Sequence, residues 1–458
     1  MSTENQTGDP AENQGGDLGL TGAVSMALGG MIGGGIYAVL GVVVNISGQL
    51  AWLSFVLAGL VALCAGYSYI KLNQLSKPEG ASPTYLEWFA DSSTLAGMAG
   101  WTLLFGYVGS MAMYAYAFGS YFVDIISVDQ LLGLPLRPLL SLAIIGIFVA
   151  LNLVGVEESG WVEIVLVVVK IAVLVGFVGF GLWFGSGNGG IQTGLGSIGG
   201  LTFEPIMAAA MSFVAFQGWQ LLMYSQSTIK DHSDTNPTAI YISIPTAVLI
   251  YIGVAIVTTS IVGVSLVSQR PEVALATAAS QFGGSWGHLI IALSALFSTA
   301  SAINATLFTS AQFSDRLIEN DLLPTRLDSN TPDEFEEGAL PKRIIILLGV
   351  LTAAFTVVGS LEGITSFASL TFIVVFGGMS YLALTQRDHE DVSAIPPAIG
   401  LVGTVVFLPL MMINLFNTQR TVFYTVVGIS VVVTLVELAY FRTDILEEKT
   451  ERDVSGSD

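Results

Sequence analysis

GGMIGGGIYAVLG, Gly29 to Gly41, lies inside an apolar run and gathers Gly29, Gly30, Gly33, Gly34 and Gly35 within two helical turns. An interior glycine weakens a helix by up to ~1 kcal/mol relative to alanine, so this stretch is expected to unwind. In a bilayer, unwound backbone persists only where protein encloses it or it lines a cavity. The reading therefore predicts a broken helix beside a cavity. The alternative is that the glycines only let helices pack closely, through Gly29 with Gly33 or Gly30 with Gly34.

Working outward, 53% of the 458 residues are hydrophobic and 11% charged, with a mean hydropathy of +0.73. Soluble domains carry about 25% charged residues, so this is a membrane composition. Runs of the roughly 20 apolar residues that a spanning helix needs fall at 19–44, 49–70, 95–123, 138–155, 161–184, 203–225, 238–264, 286–312, 343–360, 363–384, 394–416 and 420–441. The expected fold class is an all-α polytopic membrane protein with twelve transmembrane helices.

With the N-terminus cytoplasmic, Lys71, Lys77, Lys230, Arg316, Arg326, Lys342, Arg343, Arg387, Arg442, Lys449 and Arg452 fall inside, against Arg137, Arg270 and Arg420 outside. This satisfies the positive-inside rule and places both termini in the cytoplasm. Fifteen Lys and Arg against 35 Asp and Glu give a net charge of -20. An acidic surface stays hydrated in concentrated salt, which points to a salt-adapted cell, and it excludes nucleic acid as a partner.

Residues 1–17 are polar and lack a basic n-region, so they read as a disordered cytoplasmic tail rather than a signal peptide. Residues 442–458 form an acidic tail. The inner loop from Phe313 to Lys342 is too short and acidic for a catalytic domain, and the glycine-rich outer loop Gly185 to Gly200 lacks the Lys-Ser/Thr of a P-loop and reads as a flexible linker. Cys64 stands alone in an apolar run. His232, His288 and His389 have no metal-ligand spacing. No cofactor, metal site or hydrolase motif is expected.

The sixth run contains SFVAFQGWQLLMYSQS, with Gly218 between Gln217 and Trp219. The first and sixth helices are corresponding members of two five-helix halves in an inverted-repeat transporter, where half-helix ends bind the charged groups of a substrate. A zwitterionic amino acid presents one charge of each sign. Phe213, Phe216 and Trp219 also fit an ordinary packing face.

In the fifth run, GWVEIVLVVVKIAVLVGFVGFGLWF, Lys170 is the only charge beyond the first turn. It lies about 13 Å into the span by helix rise, and a charge at that depth costs ~3 kcal/mol on insertion scales. Glu163 lies outside pairing distance along the helix. Lys170 is therefore expected to be neutral or to meet backbone carbonyls of another helix. Burial lowers a lysine pKa, which suits proton coupling; a static lysine filling an ion-sized gap is the alternative.

Together these features resemble the amino acid–polyamine–organocation (APC) permeases over nearly the whole chain. IGGGIY, Ile32 to Tyr37, is similar to the family's first-helix pattern, with Gly34 in place of the usual Ser or Thr. FVAFQGW, Phe213 to Trp219, is similar to its sixth-helix pattern, and PEGASPTYLEW and IENDLLP resemble two further segments. The resemblance implies a LeuT-like fold of five plus five inverted helices, with two more at 394–441. The repeats would cover about 18–184 and 203–384 of a core at 18–384.

The resemblance also implies a substrate site built from Met31, Ile32, Gly33, Gly34 and Gly35 with Val214, Ala215, Phe216, Gln217, Gly218 and Trp219. The carboxylate would meet the amides of Gly33, Gly34 and Gly35, and the amino group the carbonyls of Met31, Val214 and Gln217. Lys170 stands where some proton-coupled members carry a lysine. After the sixth helix, Ser225, Gln226 and Ser227 replace the family's usual acids.

Ser298 and Ser301, with Thr306 and Asn304, are candidates for a cation site or for helix packing, and Tyr107, Tyr114 and Tyr116 for cavity lining or aromatic packing. The function expected is a cell-membrane permease importing an amino acid with a proton, or with sodium. An exchanger using the same site and a non-transporting ligand sensor are the rivals.

Overall fold

A computed structural model describes residues 18–76, 80–155, 160–187, 190–196, 203–324, 341–435 and 438. The two expected tails and most of the acidic loop before α12 lie outside the described residues. The helices are α1 (Leu20–Ser47), α2 (Ala51–Leu75), α3 (Ser82–Ala90), α4 (Ser93–Ile126), α5 (Leu136–Val154), α6 (Gly160–Gly187) and α7 (Glu204–Ser212). There follow α8 (Leu221–Tyr224), α9 (His232–Ile261), α10 (Val264–Val267), α11 (Ala274–Glu319), α12 (Lys342–Val358), α13 (Leu361–Thr385) and α14 (Ile395–Thr418). A last apolar helix, α15, covers Arg420–Leu435.

Among the described residues, nine segments are long and apolar enough to cross a membrane, the first of them, Leu20–Leu75, holding both α1 and α2. The molecule is a helical, multi-pass membrane protein. A small antiparallel hairpin, β1 (Gln130–Leu131) with β2 (Leu134–Pro135), joins α4 to α5. Leu132 and Gly133 both have positive φ at its tip, as a two-residue type I′ turn requires.

The centre of the bundle is α1, buried from Met31 to Val44 and packed against α4, α6, α7, α9 and α11. Helices α5, α6 and α14 form the outside and turn Leu151, Val165, Val168, Trp183 and Val402 outward. Lipid tails are as apolar as these side chains, so association relies on close packing of small residues. A Cβ added at Gly33 would come within 2.9 Å of Ala302 on α11, and one at Gly35 within 2.9 Å of Ala215.

Two expectations need correction here. Helix α1 is continuous through all five glycines, so the first span is wound and not broken. Unwinding would strip amides of partners where no water replaces them, a cost of several kcal/mol per group, whereas wound glycines allow contact on several sides. The eighth span also runs past the expected 312, to Glu319, and α11 turns at Gly284 (φ 57°, ψ -148°).

The glycine-rich loop after α6 is tied down where it is described. Trp52 Nε1 donates to Thr193 O at 2.7 Å, Gln49 Nε2 to Gln192 Oε1 at 2.9 Å, and Ser260 Oγ to Gln192 O at 2.9 Å.

Candidate functional site

The sixth span breaks as its sequence predicts. Helix α7 stops at Ser212, Phe213–Phe216 form a 3₁₀ turn, Gln217 is extended (φ -72°, ψ 143°), and α8 resumes at Leu221. Gly218 has φ 137°, a conformation closed to residues with a Cβ.

Freed backbone groups at membrane depth need new partners, and side chains supply them. Gly218 N donates to Gln220 Oε1 at 2.7 Å, and Gln220 Nε2 to Gln217 Oε1 at 3.2 Å. Ser369 on α13 accepts from Val214 N at 3.0 Å and donates to Met211 O at 2.7 Å, splinting the break across its first turn.

The break lies directly on the glycine face of α1. A Cβ on Gly30 would come within 2.6 Å of Gly218 Cα, and one on Gly218 within 2.6 Å of Gly30 C. Gly34 faces the Tyr114 ring, whose hydroxyl accepts from Gln217 Nε2 at 2.7 Å. The glycines therefore serve close packing, the alternative reading of their spacing, and they bring α1, α4, α11 and the break to one point. Met31, Ile32, Gly33, Gly34 and Gly35 are buried there with Val214, Ala215, Phe216, Gln217 and Trp219.

Aromatic packing accounts for several candidates. Trp219 and Phe213 meet Phe376 at 5.1 and 5.7 Å between ring centroids. Tyr107 meets Phe372 at 5.8 Å, and Tyr116 lies under the Arg137 guanidinium at 3.7 Å.

Lys170 is 3% exposed on the inner face of α6, while Val168 and Val169 on the outer face are 58% and 52% exposed. Helix α6 packs against α1, α9 and α11. Ser298 is buried on α11, where its carbonyl lies 3.7 Å from the position of a Gly33 Cβ. Ser301 is half-buried. Asn304 accepts from Asn152 Nδ2 at 2.9 Å, tying α11 to α5.

Beyond α8, Gln226 stands at one of the positions where the resembled family usually carries acids, and it is buried. It forms a reciprocal amide pair with Asn73, both bonds 3.1 Å, and donates to Gly80 O at 3.1 Å. Tyr85 Oη reaches Asn73 Oδ1 at 2.9 Å and Gly80 O at 2.8 Å. A cavity of about 300 Å³ opens beside this uncharged clasp, lined by Asn73, Gln74, Met223, Gln226, His232 and Asn236.

Sequence reasoning missed Ser369, Gln220 and Tyr251 on α9, whose hydroxyl lies 2.7 Å from Met31 O and 3.0 Å from Ala215 O. None sits in a motif. Gln220 alone carried a signal, as a polar residue one position past FVAFQGW in an apolar run.

A bundle of membrane-crossing helices, with one helix broken mid-span against a glycine-faced neighbour, defines a polytopic membrane transporter. Residues 18–433 match the family model described as amino acid permease, and the chain belongs to that family. It is 29% identical to an uncharacterised protein of Methanocaldococcus jannaschii, covering 92% of this chain and 95% of that one. It is 28% identical to the inner membrane transport protein YbaT of Escherichia coli, over 89% and 90% of the two chains. The serine/threonine exchanger SteT of Bacillus subtilis is 24% identical, over 67% of this chain and 69% of its own.

Proposed function

We propose that this protein moves an α-amino acid across the cell membrane by alternating access, with proton symport, around a site where the sixth-span break meets α1. The observation that carries the reading is the break itself: Gln217 and Gly218 leave helical geometry in a fully enclosed position against Gly30. Irregular backbone at that depth is the feature on which inverted-repeat transporters build substrate sites. The repeats are assigned to 18–184 and 203–384, with two further helices at 394–441 completing twelve. The relatives named for transport or amino acid exchange support the substrate class.

Recognition uses Met31 to Gly35 and Val214 to Trp219. Because α1 is wound, its glycine amides are engaged within the helix, and substrate carboxylate reaches them only with a local opening of α1. Lys170 is assigned the proton-coupling role. Its burial on the inner face of α6, the helix that packs against α1, α9 and α11, supports this, since a charge held at that depth is costly. Both termini are placed in the cytoplasm, and the net charge of -20 supports a high-salt setting.

Proteoliposome uptake from a panel of amino acids, with and without a pH gradient, tests the reading. Wild type is expected to accumulate at least one amino acid in response to the gradient, and Lys170→Ala to lose that response. Gradient-independent uptake in both proteins rejects proton coupling and leaves exchange or sodium coupling.

A further inference from the structure

The hairpin that joins α4 to α5 carries at its tip a residue that suits neither its turn nor water. Leu132 and Gly133 have φ of 53° and 80°, and a type I′ turn favours Asn, Asp or Gly at the first of these positions. A leucine is strained there, because its Cβ crowds the following carbonyl. Leu132 is nevertheless 96% exposed, so no protein contact offsets that strain. Leu131 and Leu134 stand directly opposite each other across the two strands, which puts their side chains on one face, and they are 52% and 57% exposed. Single exposed leucines are ordinary. Three within four residues, two of them paired on one face, make a patch.

The depth of the hairpin follows from α5. Its 19 residues, Leu136–Val154, rise about 28 Å as an α-helix, against about 30 Å for the hydrocarbon core of a bilayer. The helix has no length to spare, so Leu136 sits at a membrane boundary. Arg137 is the only charge in α5 and stacks on the Tyr116 ring at 3.7 Å, as an interfacial anchor does. Further along, α5 turns Leu139, Leu142 and Ile147 outward. Strand β2 ends at Pro135, the residue before α5, and even a fully extended chain keeps Leu132 within about 13 Å of Leu136. The leucine patch therefore continues the exposed apolar face of α5 into the headgroup region.

We infer that this hairpin is a membrane-docking element whose partner is the lipid of the leaflet at this end. Leu131, Leu132 and Leu134 enter the boundary between headgroups and acyl chains, and burial of the tip offsets its strained turn. Docking fixes the α4–α5 connection to the bilayer surface. The inference is independent of the amino acid site proposed above.

A nitroxide on Leu132→Cys, in a Cys64→Ala background reconstituted into phosphatidylcholine vesicles, reports where the tip lies. Oxygen concentrates in lipid and a nickel chelate stays in water, so the ratio of their collision rates with the label measures depth. The aqueous reference is a label on Gln269→Cys, an exposed residue beside Arg270, which pairs with Asp124 at the same end of α4. The oxygen-to-nickel ratio is expected to be higher at 132 than at 269. Adding Leu131→Ser and Leu134→Ser removes about one leucine of exposed apolar surface and should raise the water-exposed fraction of the label at 132 about tenfold.

Equal ratios at 132 and 269 overturn the inference, because the tip then stands in water. A label shielded from oxygen and nickel alike also overturns it, since a second copy of the chain or another protein would then cover the tip. A high ratio that ignores the two serines overturns the role given to the leucines. Should Leu132→Cys fail to fold, Leu134→Cys carries the label, with Leu131→Ser and Leu132→Asn as the added changes, and the same outcomes decide.

Discussion

Gly218 is held by two constraints at once, a φ of 137° and backbone of Gly30 and Met31 within 2.6 Å of where a Cβ would stand. Gly34 has only the second kind, and its neighbour is a side chain, the Tyr114 ring. Gly176 on α6 has nothing within 4 Å. Overpacking a filled interior costs about 1–3 kcal/mol, and a disallowed conformation adds to it. The apparent melting temperature in detergent should therefore fall most for Gly218→Ala, less for Gly34→Ala, and not at all for Gly176→Ala. A Gly34→Ala protein as stable as Gly176→Ala would show that Tyr114 moves aside freely. This contrast explains why the glycine run was only half legible. Composition revealed that the residues were special, but unwinding and tight packing both call for glycine, and only the facing groups, Gly218, Tyr114, Ala215 and Ala302, decide between them.

At the level of elements, the spans were readable because the bilayer imposes a length and a composition on each. The break in the sixth was readable because Gly218, a weak signal alone, falls in the span that corresponds to the first in a two-half arrangement. The end of the molecule where α4 meets the α9–α11 connection was not. Asp124 at the end of α4 accepts from Arg270 Nη2 at 2.6 Å and pairs with His288 Nε2 at 2.7 Å, partners 146 and 164 residues away. No local pattern encodes such a meeting. The carboxylate thereby fastens the segment between α9 and α11 from both sides of the Gly284 turn, while Pro271 of that segment rests on Gly41 of α1. Asp124 is 6% exposed but Arg270 is 60% exposed, so the pair is worth no more than about 1 kcal/mol. Asp124→Asn is expected to leave global melting nearly unchanged and to speed amide hydrogen exchange over residues 263–270 by up to about fivefold, the factor that 1 kcal/mol gives. Unaltered exchange there would mean that the contact with α1 alone holds the segment.

For the whole molecule, the membrane class and the meeting of the first and sixth spans followed from the sequence, whereas the closure below that meeting did not. After the sixth span, Ser225, Gln226 and Ser227 stand where the family usually carries acids, so the family pattern gave no guide to this end. The described residues join this end through the Asn73–Gln226 amide pair and a parallel bridge between Leu18 and Ile229. Leu18 N donates to Thr228 O at 3.1 Å and Lys230 N to Leu18 O at 2.9 Å, so the residues leading into α1 are stitched to those leaving α8. If α1 and the broken span part on this side in every transport cycle, the stitch has to open. Neighbours across a β-bridge lie within the Cα separation that a disulfide spans, and the native Cys64 is buried. Leu18→Cys with Ile229→Cys, in a Cys64→Ala background, should lose uptake on oxidation and regain it on reduction, with either single cysteine unaffected. Uptake that persists in protein whose 18–229 disulfide is verified by mass spectrometry would place the moving parts elsewhere, with this end of α1 fixed throughout the cycle.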